Sequence, residues 1–282
     1  MIKVRLDTSE YTAPTQADIR AAKQFILQRE EYARILEEKV DELLEEAAER
    51  IVIICYRYNF DPKKLYFGSG FNGQMMSEIA QVMDDLEQKI LDLINEYATV
   101  PEASASDKNA LLLWLATLGR GNRNLRDTLD TYLYKFKKDL EAAIAALLSV
   151  GIGAADAVTK VKTHLHTIYT MPEVVTAFKE ASTFAATYIQ SRGVQKGGVG
   201  LSNNGSTNVT NMARLTLQMA WMRARRMKME EDGAAGFYVL RGSAYPCDLC
   251  DSMVGFHLMT DIESFPPYHG HCCCYVVPIF SK

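Results

Sequence analysis

Apolar positions recur every three to four residues along much of residues 1–191, a spacing typical of one face of an α-helix. Thr15 or Asp18 can cap a first helix that runs to about Tyr56. Its apolar stripe consists of Ile19, Phe25, Ile26, Ile35, Leu36, Val40, Leu43 and Leu44. A second helical pattern covers about 74–97, and others follow it. The pattern predicts a multi-helix body over residues 1–191.

The pattern changes after this body. A Gly-rich segment, 192–207, predicts a loop, and a helical pattern returns over about 209–232, where Thr207 or Asn208 can cap the helix. Beyond it, GFYVLRGS and CYVVPIF are rich in β-branched and aromatic residues, which is typical of strands. We therefore expect a mainly α fold, a multi-helix body with a small C-terminal β-containing module over 208–282, α+β overall.

The composition places the chain among globular proteins. Of its 282 residues, 48% are hydrophobic and 23% charged, and the formal net charge is −4. The longest uncharged apolar run, 142–155, is shorter than the ~20 residues of a membrane-spanning helix, so we expect no membrane contact. Acidic residues stand near the start, where a secretory signal has its apolar stretch. In an intracellular chain, clustered thiols indicate metal ligands or reactive groups rather than disulfides.

The cysteines are unevenly distributed. Cys55 stands alone in the apolar stretch IVIICYRY, which indicates a buried structural thiol, whereas the other five lie between Cys247 and Cys274. The C-x2-C spacing of Cys247 and Cys250 brings two thiolates onto one Zn²⁺ ion. The remaining ligands of a tetrahedral site must come from the histidines and cysteines of YHGHCCCYVVPIF, residues 268–280.

The second half of this site offers more ligands than it needs. If 272–276 is extended, Cys272 and Cys274 face one way and Cys273 the other, and His269 can fold back toward the ion. Five candidates remain for about four positions, namely Cys247, Cys250, His269, Cys272 and Cys274. A site closed by four protein ligands is structural, and zinc is the expected ion. Unligated thiols and a catalytic metal are the alternatives.

Two motifs of enzymes are incomplete. YPCDLC resembles half of the zinc deaminase signature, but no Glu stands two residues after His164 or His166, so the proton-transfer residue is missing. KGGVGLS has Leu201 where a phosphate-binding loop has the Lys that contacts the phosphates. We expect no catalytic residues, no small-molecule substrate and no enzymatic activity.

The helix before the cysteines carries a run of cations with no acidic residue between them. These cations are Arg214, Arg223, Arg225, Arg226 and Lys228. Such a run indicates a contact with nucleic acid or with an acidic partner, or an ordinary polar face. Several methionines on the same helix favour core packing over a partner groove. If the cations instead contact nucleic acid, the chain is a zinc-module nucleic-acid-binding protein, which is the alternative function.

The order of these C-terminal motifs is the most informative feature of the chain. After the basic helix come a Gly turn, a strand, Cys247-x-x-Cys250, Val254-Gly255, Pro267-x-His269-x-x-Cys272-x-Cys274 and an apolar strand. Over about 205–280 this order resembles the phage Mu F-like minor head proteins, also called phage head morphogenesis proteins. The chain departs from that family in having Gly270-His271 where Pro-Asn is common, Cys273 where a basic residue is common, and Leu215-Thr216 where Thr-Glu is common.

The resemblance implies a minor capsid protein of a tailed phage or prophage, without enzymatic activity. Such a protein is made in the host cytoplasm and lies inside the head of the virion, near the portal vertex. Its partners would be the portal protein and other head proteins, with packaged DNA close by. It would assist head assembly or the packaging and ejection of DNA.

Overall fold

The computed structural model describes residues 9–61, 73–99, 105–117, 124–179 and 202–282. These residues are mainly helical and include a three-stranded antiparallel sheet near the C-terminus, so the predicted fold class is confirmed. The helices are α1 Gln16–Arg57, α2 Gly73–Ala98, α3 Ala105–Thr117, α4 Leu125–Ser149, α5 Ala154–Thr163, α6 Pro172–Lys179, α7 Gly205–Glu231 and α8 Asp248–Met253. The strands are β1 Gly236–Leu240, β2 Gly255–Leu258 and β3 Tyr275–Ile279. Within the described part of the chain, no helix combines the length and the apolar character needed to cross a membrane.

The described residues fall into two compact units, and neither is continuous in sequence. The cysteine unit takes those of Met1–Glu37, Ile94–Leu118 and Ala213–Lys282. The helical unit takes those of Glu38–Leu93 and Gly119–Met212. Helices α1, α2 and α7 therefore each contribute residues to both units. The division predicted from sequence, into a helical body, a loop and a C-terminal module, stays a prediction, and residues 192–201 of the loop lie outside the described part.

Helix α1 starts where its cap residues predict. The Thr15 hydroxyl accepts a hydrogen bond from the Asp18 backbone N–H at 3.2 Å, and the Asp18 carboxylate accepts one from the Thr15 N–H at 2.8 Å. This reciprocal pair is a capping box. The Thr15 hydrogen bonds also hold the pKa of Asp18 below its usual value. Farther along, half of the predicted stripe is buried, namely Ile26, Leu36, Val40 and Leu44, and its other four residues are half-buried.

Helix α7 starts four residues before the expected position. Its first residue, Gly205, donates its backbone N–H to the Asp139 carboxylate of α4 at 2.6 Å. A Cβ at Gly205 would lie 2.2 Å from the Phe136 backbone nitrogen, so this close approach needs glycine. The predicted caps were wrong because Thr207 and Asn208 lie inside the first turn. Asp139, 66 residues away, takes the role of a cap, and no local pattern reveals it.

The sheet of the cysteine unit has the order β2-β1-β3, with both pairs antiparallel. Phe237 and Val239 of β1 are fully buried, and they belong to one apolar cluster with Ala22 and Ile26 of α1 and with buried methionines of α7. Three cysteines belong to the same cluster, namely Cys250, Cys272 and Cys274. These thiols are therefore buried members of the unit's apolar core.

Candidate metal centre

The first two cysteines are brought together by the start of α8. Cys247 is the N-cap residue, and its Sγ accepts the backbone N–H of Cys250 at 3.5 Å. A sulfur that caps the helix lies beside the side chain three residues later, because residues at this spacing share one face of a helical turn. Cys250 is 3% exposed, and Cys247 is half-buried. The C-x2-C turn thus brings the two sulfurs close enough together to bind one metal ion.

Arg241 holds this turn from the end of β1. Its guanidinium donates to the Asp251 carboxylate, to the Tyr245 carbonyl and to the Cys247 carbonyl, the last at 3.4 Å. The planar guanidinium can satisfy several acceptors at once in a fixed geometry. Arg241 therefore fixes the backbone that carries Cys247.

His269 contributes its imidazole to the cluster from the loop before β3. Its Nδ1 lies 2.6 Å from the Gly270 carbonyl, which fixes the tautomer with the proton on Nδ1. Its Nε2 then faces the thiols, 3.1 Å from Cys250 Sγ and 3.4 Å from Cys247 Sγ. An Nδ1–H bonded to a carbonyl is the usual support of a histidine that ligates a metal through Nε2.

The five predicted ligands form two overlapping groups of three. The ligand atoms of Cys247, Cys250 and His269 lie within 4.8 Å of one another, as do those of Cys250, Cys272 and Cys274. The Cys250 and Cys272 sulfurs are 4.0 Å apart. In a tetrahedral zinc site, bonds of about 2.3 Å to sulfur and 2.0 Å to nitrogen leave ligand atoms about 3.5–3.8 Å apart. The cluster is therefore compatible with a metal site.

Two neighbouring candidates lie outside the cluster. His271 is exposed and has a left-handed backbone with φ 63°. The Cys273 Sγ points back to the His271 carbonyl, at 3.6 Å. The cysteines therefore alternate as an extended segment would, although β3 itself begins at Tyr275, one residue after the start of the predicted strand CYVVPIF.

The four clustered thiols shift one another's pKa values in opposite directions. The hydrogen bond from Cys274, followed by smaller contributions, lowers the pKa of Cys272 to about 5, and the Cys250 backbone N–H lowers that of Cys247. Burial raises the pKa of Cys250 to about 12. The hydrogen bond to Cys272, together with burial, raises the pKa of Cys274 well above its usual value. A divalent cation would displace the protons of the last two thiols, because metal ligation requires thiolates.

The imidazole of His269 responds to the same thiols. Burial lowers its pKa, but the Gly270 carbonyl and the neighbouring thiolate of Cys272 outweigh burial, so the pKa is raised on balance. Ligation requires the neutral ring, so metal binding at this site would release a proton from His269 in mildly acidic solution. Metal binding would therefore release protons from the cysteine thiols and from the His269 imidazole.

The cations of α7 are largely paired within the chain. Arg214 donates to Glu30 and, at 2.6 Å, to Glu37 of α1. Arg226, 6% exposed, pairs with Glu230 at 2.8 Å and donates to the Met259 carbonyl. Lys228 pairs with Glu231 and Asp232. The guanidinium of Arg225 lies 5.5 Å from the centre of the Phe25 ring. Arg223 is half-buried.

The sequence did not point to Arg29, which contacts the ligand loop. Its fully buried guanidinium donates to the Cys272 carbonyl and, through Nε at 3.1 Å, to Glu30. One signal was present, because Arg29 falls on the buried stripe between Ile26 and Ala33 of α1. A cation at a buried helical position needs a specific partner, but that partner lies 243 residues away.

Comparisons with protein-family models, with curated proteins and with solved structures found no match for this chain.

Proposed function

We propose that the cluster binds one structural zinc ion, which fastens the C-terminal end of the chain. The observation that carries this proposal is the convergence of three segments, the Cys247–Cys250 turn, His269 and the loop at Cys272–Cys274, with ligand atoms at nearly tetrahedral spacing. Thiolate and imidazole donors in this combination favour zinc over harder divalent ions. Zinc would replace protons on the clustered thiols and compensate the negative charges of the resulting thiolates.

A structural role fits this site better than a catalytic one. Four protein ligands would close the coordination sphere, whereas catalysis needs an open position for water or substrate. The two groups of three, which share Cys250, together offer five candidates for these four positions. The metal-ligand groups formed by the described residues contain no Asp or Glu that could serve as a general base. Zinc in such a small module contributes on the order of 10 kcal/mol to folding.

At the level of the organism, we propose that the chain is a minor capsid protein of a tailed phage or prophage. The support is the order of its C-terminal motifs, which resembles the Mu F-like minor head proteins. The convergence of the motif residues on one site gives a physical reason for their spacing. In this role the protein contacts the portal and other head proteins, and the zinc-fastened module keeps its C-terminal end folded during assembly.

Metal analysis of the purified protein tests the zinc site. We expect about one zinc per chain, lost in Cys250→Ser because Cys250 belongs to both groups of ligands. Cys273→Ser is the matched control, since its sulfur points away from the cluster, and it should keep the ion. Wild-type protein that stays free of zinc when folded in its presence would overturn the proposal.

Quantitative mass spectrometry of purified proheads and virions tests the role in the capsid. We expect the protein in both particles, in fewer copies than the major capsid protein. Its absence from both would overturn this part of the proposal and leave the zinc site untouched. The alternative, nucleic-acid binding through α7, gains no support from the contacts of its cations, since Arg214, Arg226 and Lys228 all have carboxylate partners.

A further inference from the structure

Beside the metal centre lies a partly buried polar network that connects α1, α7 and the ligand loop. Glu30 accepts hydrogen bonds from Arg29, from Arg214 and from the Gln218 side chain, the last at 3.0 Å. Arg214 continues the network to Glu37. Arg29, at its end, donates to the Cys272 carbonyl. All these residues belong to the cysteine unit.

The Arg29 guanidinium has little freedom to move. It is 0% exposed, and its Nη1 has no hydrogen-bond partner. The other guanidinium N–H groups therefore make all of its hydrogen bonds, to the Glu30 carboxylate and to the Cys272 carbonyl. A buried charge must keep its partners, because each lost partner leaves an uncompensated group away from water. The carbonyl of Cys272 is therefore fixed by a rigid donor, and the sulfur of the same residue lies in the metal cluster.

We propose that Arg29 is a positioning residue of the metal centre, which locks the ligand loop to the first half of α1 so that metal binding and the packing of residues 16–37 stabilise each other. The inference rests on the zinc site proposed above. Groups that hydrogen-bond to a metal-ligating residue orient it, and their loss typically weakens metal affinity about 10- to 100-fold. Such coupling is reciprocal, since a contact that favours metal binding is itself favoured by the metal.

The test compares zinc affinity and amide exchange in the full chain. Zinc dissociation constants are measured by competition with a colorimetric chelator for the wild type, Arg29→Met, Arg29→Lys and Arg34→Met. We expect affinity to fall about 10- to 100-fold in Arg29→Met and less in Arg29→Lys, which keeps the charge and one donor to the carbonyl. Arg34→Met is the control, because Arg34 lies on the same helix with its side chain 57% exposed. It should bind zinc as the wild type does.

Hydrogen exchange in the wild type gives an independent readout. Removing zinc should accelerate exchange over residues 16–37 and leave α4, in the helical unit, unchanged. If Arg29→Met does not fold, this measurement decides alone. Zinc-independent exchange over 16–37, or unchanged affinity in a folded Arg29→Met variant, would overturn the inference while the zinc site stands. A wild type that binds no zinc would overturn both.

Discussion

One close backbone contact with the ligand loop is made by Gly242. A Cβ at Gly242, two residues beyond β1, would lie 1.8 Å from the Cys273 carbonyl oxygen and 2.8 Å from its carbonyl carbon. Both obstacles are backbone atoms, which cannot rotate away. Gly242→Ala should therefore displace the loop that carries Cys272 and Cys274, and lower zinc affinity by about tenfold or more, as chelator competition would measure.

Gly270→Ala is the matched control for this change. Gly270 lies in the same loop, but a Cβ there would meet nothing within 4 Å. Its carbonyl, which accepts the His269 Nδ1–H, would remain in place. We expect wild-type zinc affinity in this variant. Equal affinities for Gly242→Ala and the wild type would mean that the loop can shift without moving its sulfurs.

The metal ligands could be predicted from the sequence, whereas the residues that hold the ligand loop in place could not. Cys247 and Cys250 were predictable because their spacing brings them together within one turn. His269 and the alternating cysteines were predictable because they are close in sequence and chemically distinctive. Arg29 and Gly242 were not, since each acts through a tertiary contact with the loop and neither residue type is specific to metal sites.

Among the elements, the start of α7 depends most on one distant side chain. The buried Asp139 carboxylate accepts from Lys135, from the Tyr169 hydroxyl at 2.6 Å and from the Gly205 N–H. Burial raises the pKa of Asp139, and these three donors oppose the rise by favouring the ionised form. Asp139→Ala would leave all three donors without this acceptor. We expect a loss of about 3 kcal/mol in the free energy of unfolding, measured with urea.

Asp130→Ala supplies the comparison on the same helix. Asp130 is exposed on α4, so its removal should change the free energy of unfolding by less than about 0.5 kcal/mol. Similar changes in the two variants would show that the contacts of Asp139 contribute no more to stability than an exposed carboxylate does. They would then contradict its assigned role at the start of α7.

The two longest described helices show why some ends are predictable. The start of α1 is set by Thr15 and Asp18, whose reciprocal bonds join residues three apart, so a local pattern contains the whole signal. The start of α7 is set by a carboxylate on another helix and by space that suits glycine. The segment before α7 contains several residues that can cap a helix, and the two predicted caps, Thr207 and Asn208, come too late in the chain.

For the whole molecule, the hydrophobic pattern predicted the fold class but not the two compact units. A pattern tells which face of a helix is buried, not which element covers it. The first half of α1 shares a unit with the C-terminal sheet, and its second half belongs to the helical unit. Distant parts of the chain thus build each unit, whereas a prediction from sequence divides the chain into consecutive segments.

The electrostatics of the whole molecule separate the two functions considered for it. The net charge is −4, and Arg214, Arg226 and Lys228 of α7 already have carboxylate partners. A cation that neutralises a phosphate releases counterions, which makes log K fall with log[salt] by about 0.9 for each contact. Pairing within the chain removes that release. We therefore expect weak binding to duplex DNA, with a slope shallower than about −2, measured by fluorescence anisotropy between about 50 and 200 mM salt.

A steep dependence of DNA affinity on salt would be equally informative. If all five cations of α7 met phosphates, the slope would approach about −4.5, from five contacts at about −0.9 each. Such a slope, reduced by about one in Arg223→Ala, would require the carboxylate partners of α7 to give way to DNA. It would establish nucleic-acid binding as a function of this helix. A shallow slope that Arg223→Ala leaves unchanged would mean that the cations serve contacts within the chain, such as the pairing of Arg214 with Glu30 and Glu37 of α1.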